Sequence, residues 1–391
     1  MVRFNTRVPS VLVLALGEHF LGYSCGCSGS AVGEVIFNTA MTGYQEIITD
    51  PSYSNQMVVF TTPHVGSTGV NLWDDESDRS HLAGIIVRDL VDYPSNWQSS
   101  SSLEQFLCSQ NIVGIQSIDT RALTILLRNN GSQFGCIYSG DDAHHQARIS
   151  DCLSKAKEFK GLVGVDLVKS VTCRSPFHWN NHPLCRFKGV KVDYRVVVLD
   201  FGVKRSVLNA LVYSGCDVTV LPAGSSKGEI LSYRPDGIVL SNGPGDPAGC
   251  HEIILLTKSL MLTGIPLFGV CLGHQIIALA NGLNVVKMPF GHHGVNHPVQ
   301  DVVTRKVFIS SQNHCFVVDE ESVRLSSCCD VTHRSLFDQS IQGLSYRGFP
   351  GISFQGHPEG GGGPQDLLCL FDKFALMMGN CRGRLSNATS S

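Results

Sequence analysis

The chain has no C-x-x-C pair among its fifteen cysteines, which removes the usual spacing of structural zinc and dithiol redox sites. It has no apolar run approaching the ~18 residues of a membrane-spanning helix, so no membrane partner is expected. Charge is sparse and nearly balanced: 16% of residues are charged and the net charge is −3, leaving no basic footprint for nucleic acid. The cysteine count is odd, the spacings are irregular, and Cys328 and Cys329 are adjacent, a pattern that argues against a disulfide framework. Reduced thiols in a cytoplasmic compartment fit it better. What the chain has in quantity is apolar residues, 43% of 391, enough for the cores of two or three domains.

Arg3 and Arg7 flank the start of an apolar stretch at residues 8–17 that superficially resembles a secretory signal. Glu18 and His19 break that stretch at once. Residues 10–16 read instead as a strand, with a turn at Gly17-Glu18 and a return through residues 19–22.

The most informative segment is Gly269-Val270-Cys271-Leu272-Gly273-His274, which follows the apolar residues 265–268 and precedes the apolar stretch 275–280. It predicts a buried strand, a glycine-flanked turn with a cysteine at its tip, and then a helix. That is the cysteine version of the G-x-S-x-G nucleophile elbow. A side chain on so sharp a turn sits in strained backbone, and its neighbours must lack Cβ atoms. The helix N-terminus supplies free N–H groups and a positive dipole end, which favour a thiolate and a developing oxyanion. Buried thiols are common in cores, so Cys271 needs support from elsewhere. Phe354-Gln355-Gly356-His357-Pro358-Glu359 provides it, again after a short apolar segment. A thiol nucleophile needs a base and the base an orienting acceptor; His357 and Glu359, two apart with a proline between them, supply both.

These clusters resemble the class I (triad-type) glutamine amidotransferases, whose glutaminase domains carry G-x-C-x-G-x-Q and, near the end, H-P-E. The resemblance implies that Cys271 attacks the side-chain amide of L-glutamine, that His357 activates the thiol and protonates the leaving ammonia, and that Glu359 orients His357. Ser241-Asn242-Gly243-Pro244-Gly245-Asp246-Pro247 is turn chemistry when taken alone. In the family this loop lines the glutamine pocket, and its backbone shares the oxyanion hole with the amide of Leu272.

Downstream of residue 193, strand-like runs alternate with helix-length stretches: residues 195–200, 205–214, 217–221, 237–240 and 266–270. That order predicts an α/β domain with a doubly covered, largely parallel sheet, its functional loops at the carboxyl ends of the strands. Gly243, Cys271 and His357 all fall there. Upstream, short strands at residues 31–36, 57–60 and 84–87 and a helix at 119–128 indicate a β-rich α+β domain. Residues 37–46 read as strand plus turn and 49–53 as a tight turn. The expected organisation is an N-terminal domain at 1–171, a connector without periodicity at 172–193, the α/β domain at 194–380, and a disordered tail at 381–391.

Residue chemistry leaves the N-terminal half unexplained. Its stretch from Phe37 to Tyr53, Gly114-Ile115-Gln116-Ser117-Ile118-Asp119-Thr120-Arg121, and Asp200-Phe201-Gly202-Val203-Lys204-Arg205 are similar to the small-subunit family of carbamoyl-phosphate synthetases, over residues 10–378. The resemblance implies a heterodimer with a large subunit. Ammonia would pass through an internal tunnel to that subunit, where bicarbonate, ammonia and two ATP give carbamoyl phosphate for pyrimidine and arginine synthesis. No cofactor is expected on this chain. ATP and Mg would be bound by the large subunit, in keeping with the lack of a G-x-x-x-x-G-K-[ST] loop here. Carried over position by position, the family's glutamine contacts are Ser52, Gly243, Gly245, Leu272, Gln275, Asn313, Cys315 and Phe316. At Cys315 the family has Gly, so a main-chain contact is expected there. After Glu359 this chain has four glycines, 360–363, where the family is more varied, and a looser loop is expected.

Phe290-Gly291-His292-His293-Gly294-Val295-Asn296-His297-Pro298 holds three histidines, with His314 further on, but reads as a glycine-rich turn and no metal is assigned to it. Lys204-Arg205 and Asp119-Thr120-Arg121 read as solvated or structural charges, or as domain and subunit contacts.

Overall fold

In the computed structural model, which describes residues 7–388 and side chains as far as residue 383, the early apolar run is strand β1 (Pro9–Leu14). It pairs antiparallel with β2 (His19–Ser24) across the turn at Gly17, whose φ of 107° suits glycine. There follow β3 (Gly29–Asn38), helix α1 (Tyr44–Thr49), β4 (Gln56–Phe60), β5 (His64–Val65), β6 (Gly84–Ile86), β7 (Asp89–Leu90) and α2 (Leu103–Ser109). β8 (Val113–Gln116), α3 (Thr120–Asn130), β9 (Gln133–Ser139) and α4 (Gln146–Glu158) complete the first unit. Seven strands close into a barrel in the order β1-β2-β8-β6-β4-β3-β9, with β9 pairing back onto β1. Leu12 and Leu14 pack with Val35, Met57 and Ile86 in one core, whereas Val11 and Val13 pack with Ile149, Cys152 and Ala156 of α4 in another. Both faces of β1 are buried, which explains its unbroken apolar run. Residues 44–46, expected as turn, and Thr49, expected to open a tight turn, belong to helix α1; one and a half turns are too short to show a helical period, and Gly43 in the left-handed region starts it.

The chain divides into its two units between Leu162 and Val163, ahead of the expected end of the first domain at residue 171. The reason is hydrophobic: Val168, in α5 (Val168–Val171), packs with Leu199, Leu221 and Ile253 of the second unit. Residues 172–193 are likewise more than a connector. Phe177–His178 form β10, antiparallel to β12, and Trp179 is buried with Nε1 donating to Asn209 Oδ1 at 3.1 Å. Aromatic anchoring of this kind has no sequence period to reveal it.

The second unit continues with β11 (Tyr194–Asp200), α6 (Arg205–Tyr213), β12 (Cys216–Pro222), α7 (Lys227–Ser232), β13 (Gly237–Leu240), α8 (His251–Met261), β14 (Leu267–Val270) and α9 (Leu272–Ala280). After these come β15 (Val285–Asp301), β16 (Val307–Val318), α10 (Glu320–Arg324), β17 (Cys329–Ser335), β18 (Ile341–Tyr346), β19 (Gly351–Phe354) and α11 (Cys369–Ala388). They form one sheet ordered β10-β12-β11-β13-β14-β19-β18-β17-β15-β16. Along β11, Val197 and Leu199 face a core shared with Ile253, Ile276 and Ile277, while Val196 and Val198 face one shared with Val207, Leu211 and Phe374. The period of two thus sends alternate residues under helices on both faces, as a doubly covered sheet requires.

Only the run β12-β11-β13-β14-β19 is parallel; β10, β18, β17, β15 and β16 pair antiparallel. The expectation of a largely parallel sheet therefore holds for its middle alone, because short turns rather than helical crossovers join β15 to β16 and β17 through β19. The expected tail at 381–391 is helical as far as residue 388, where Arg382 Nε donates to Asp236 Oδ1 at 2.8 Å; residues 389–391 lie outside the described residues. No helix among the described residues is long and apolar enough to cross a membrane.

Candidate active site

β14 runs into Cys271, which adopts φ 51° and ψ −103° as the residue before α9. This is backbone that an L-residue occupies only under constraint, and the constraint is visible. The Cys271 N–H donates to Phe354 O at 2.9 Å and the Gly273 N–H to Ser241 O at 3.0 Å. A Cβ on Gly273 would lie 2.0 Å from the Leu240 carbonyl oxygen, and one on Gly269 would lie 2.7 Å from the Gly273 backbone. The two flanking glycines are thus steric requirements of the turn. The Cys271 thiol is buried and donates to Asn313 O at 3.5 Å. The first amide of α9, that of Leu272, has no carbonyl within the helix to bond.

β19 lies parallel to β14, with Phe354 opposite Val270, and so delivers the chain after it to the same edge. There the His357 N–H donates to Ser311 O at 2.8 Å. His357 Nδ1 and Glu359 Oε1 are 2.8 Å apart, and Nε2 makes no regular hydrogen bond. Lys204 Nζ also lies 2.8 Å from Glu359 Oε1. All three side chains are buried. Burial opposes charge on His357, but the Glu359 carboxylate outweighs it, and with help from Cys271 the imidazole is pushed up to about 10. Burial would likewise raise Glu359, yet Lys204 and then His357 hold it down to about 2. The arrangement is a buried cation–carboxylate–imidazolium row next to a thiol.

Of the readings open for Lys204 in the sequence, a solvated charge is excluded by its burial and a structural charge is what its pairing with Glu359 makes it. The loop after β11 places it: Asp200 Oδ1 accepts from the Gly202 and Val203 N–H groups at 2.9 and 2.8 Å, and Asn242 Oδ1 accepts from the Lys204 N–H at 3.2 Å. The available signal was position, since Lys204 follows a parallel strand at its carboxyl end, like the other site elements.

The remaining expected residues fall as follows. Gly243 and Gly245 lie in the loop after β13; a Cβ on Gly243 would meet Phe201 O at 2.2 Å, and Gly245 has φ 91°. Gln275 lies one turn into α9, and its Nε2 donates to Phe316 O at 2.9 Å and to Gln355 Oε1 at 3.1 Å. Both of its N–H donors are thus used within the protein, leaving its Oε1 as the atom to meet a ligand. Asn313, Cys315 and Phe316 are on β16, and the Asn313 carbonyl reaches the Cys271 sulfur. Ser52 belongs to the first unit, in the single turn of 3-10 helix Pro51–Tyr53, where its N–H donates to Asp50 Oδ1 at 2.9 Å.

The Cys315 side chain has its Sγ 3.6 Å from His293 Nε2, which leaves the main chain as the part expected to meet glutamine. Among the glycines after Glu359, Gly360, Gly361 and Gly362 have φ of 86°, 30° and 74°, and Ser311 Oγ donates to Gly360 O at 2.8 Å. Such angles need glycine. The histidine-rich stretch is strand β15, not a turn, with register shifts against β16 at both ends of His292–Gly294. There His292 Nε2 pairs with Asp338 Oδ2 at 2.9 Å and His293 Nδ1 with Asn313 Oδ1 at 2.9 Å.

Residues 197–377 match the family described as glutamine amidotransferase class-I, which defines the class of the unit holding this site. Residues 12–137 match the family described as carbamoyl-phosphate synthase small chain, CPSase domain. Relatives named carbamoyl phosphate synthase small chain extend along nearly the whole chain. That of Photobacterium profundum is 50% identical over 372 residues, covering 93% of this chain and 95% of its own. That of Polynucleobacter asymbioticus is 48% identical over 383 residues, covering 94% and 96%, and that of Vibrio parahaemolyticus 50% over 372 residues, covering 93% and 97%. The chain belongs to the carbamoyl-phosphate synthase small-chain family.

Proposed function

We propose that this small chain hydrolyses L-glutamine through a Cys271–His357–Glu359 triad and passes the ammonia to a large subunit. The observation that carries this reading is the elbow: a strained, buried Cys271 at a helix N-terminus, beside an imidazole whose other nitrogen is held by a carboxylate 2.8 Å away. The Cys271 thiolate attacks the side-chain carbonyl carbon of glutamine. A C–S bond forms, and the oxyanion is received by main-chain N–H groups of Leu272 and the Gly243 loop. His357 gives its proton to the amide nitrogen, the C–N bond breaks, and ammonia leaves a thioester. His357 then deprotonates a water, which hydrolyses the thioester to glutamate and frees Cys271. Glu359 orients His357, and Lys204 keeps Glu359 ionised.

The substrate contacts proposed are Ser52, Gly243, Gly245, Leu272, Asn313, Phe316, Gln275 through its Oε1, and Cys315 through its main chain. The partner would be the large subunit, in a heterodimer able to assemble further. It would bind ATP and Mg and join ammonia, received by an internal tunnel, to bicarbonate in the cytoplasm. Ammonia release from glutamine, measured with and without a co-purified large chain, tests the reading. Cys271→Ala is expected to abolish glutamine-dependent synthesis and to spare synthesis from added ammonia. Retained glutamine hydrolysis in that variant would remove Cys271 from its role.

A further inference from the structure

Gln355 belongs neither to the triad nor to the set of glutamine contacts, and it is fully buried. Its main-chain N–H donates to Gln342 O on β18 at 2.8 Å, which fixes the residue beside the elbow. Its carboxamide stands between two site residues. Oε1 accepts from Gln275 Nε2 at 3.1 Å, and Nε2 points at Cys271 Sγ, 3.9 Å away.

The direction of this amide is dictated by its neighbours. Gln275 Nε2 also donates to the Phe316 carbonyl at 2.9 Å, so the group that Gln275 offers to Gln355 is an N–H. Only the oxygen of Gln355 can receive it. Turning the amide over would set donor against donor, so its N–H groups must face the sulfur. A buried amide donor left without an acceptor is costly, and the Cys271 sulfur is the acceptor this donor has. A thiolate accepts far more strongly than a thiol, so the long contact favours the ionised form and tightens when the proton leaves. The opposing influence is the Asn313 carbonyl, which accepts the thiol proton at 3.5 Å and so favours the neutral form.

We infer that Gln355 is a positioning residue that donates an N–H to the Cys271 sulfur and stabilises its thiolate, held in that direction by Gln275 and the Phe316 carbonyl. The inference rests on Cys271 being the nucleophile. It is tested on the full chain with Gln355→Leu, which removes the donor, and Gln355→Glu, which keeps the shape and the acceptor toward Gln275 but sets a second acceptor against the sulfur. Iodoacetamide labelling of Cys271, followed by peptide mapping across pH, reads the thiolate directly. Both variants are expected to move the labelling midpoint upward by about one pH unit, a tenfold change in thiolate fraction. They are also expected to lower kcat for glutamine hydrolysis by about tenfold while KM changes less than about threefold. An unmoved labelling profile in a folded variant, with wild type hydrolysing glutamine, would overturn the inference; if Gln355→Leu does not fold, Gln355→Glu alone decides. Wild type without glutamine hydrolysis, or Cys271→Ala with it, would instead overturn the nucleophile reading beneath it.

Discussion

Lys204 and His357 meet the same atom: Lys204 Nζ and His357 Nδ1 each lie 2.8 Å from Glu359 Oε1, while the buried Oε2 of that carboxylate has no hydrogen-bond partner. A carboxylate between two cations is harder to protonate than one facing a single imidazole, so Glu359 remains the negative centre of the row. Replacing Lys204 with Met would leave that charge buried and half compensated. The expected loss of stability is about 3 kcal/mol, read from urea unfolding at neutral pH. A Lys204→Met protein as stable as wild type would show that the cation is solvated and not part of the row.

The signs of the two titrations define a pH window. His357 is raised from 6.5 to about 10, so its stabilisation is complete below about 6.5 and is lost as pH rises through about 10. Glu359 is lowered from 4.5 to about 2, so its contribution is complete above about 4.5 and is lost as pH falls through about 2. The stability gap between wild type and His357→Asn should therefore narrow on going alkaline, and that between wild type and Glu359→Gln on going acid. Chemical denaturation at a series of pH values measures both; gaps that stay flat would contradict the ionised row.

At the elbow, Gly273→Val should abolish activity and lower stability by about 1–3 kcal/mol or more, as overpacking does. The geometry makes a sharper demand, because even Gly273→Ala places a Cβ 2.0 Å from the Leu240 carbonyl oxygen. Backbone cannot swing aside as a flexible side chain can. A stable and fully active Gly273→Ala enzyme would mean that the strand–turn–helix is not as described.

Cys315→Gly is expected to leave turnover nearly intact and to change the Michaelis constant for glutamine by a few-fold, under about 1.4 kcal/mol. A glutamine-mimicking electrophile should label Cys271 alone, although Cys315 has an imidazole 3.6 Å from its sulfur, because Cys315 sits within a strand and lacks the helix N-terminus that favours a thiolate at Cys271. Peptide mapping that finds Cys315 modified first would move the glutamine pocket.

The parts of this molecule that were legible in the sequence are those whose physics is local. The elbow could be read because glycines on both sides of a cysteine, between a strand and a helix, form a pattern within six residues, even though the atom that excludes a Cβ at Gly273 is the distant Leu240 carbonyl oxygen. The strands at residues 195–200 and 237–240 could be read because burial on both faces writes a continuous apolar run. Lys204 could not, since its partner Glu359 is distant in sequence and neither marks the other. The same holds for Gln355, which stood in plain view beside His357 but has a direction set only by Gln275 and Phe316. The antiparallel half of the second sheet escaped for another reason: the glycines and histidines of β15 mimic turn composition, and its register shifts break the alternation that would have revealed a strand.

The burial of β1 on both faces has a consequence for synthesis. Its barrel partner β9 pairs Ser10 with Ser139, so the ring cannot close until more than a hundred further residues have left the ribosome. Until then a strand with no polar side to show must wait beside β2 alone. Long-range closure of this kind is slow and leaves sticky surface exposed in the meantime. The emerging first unit is therefore where chaperone dependence and aggregation should concentrate.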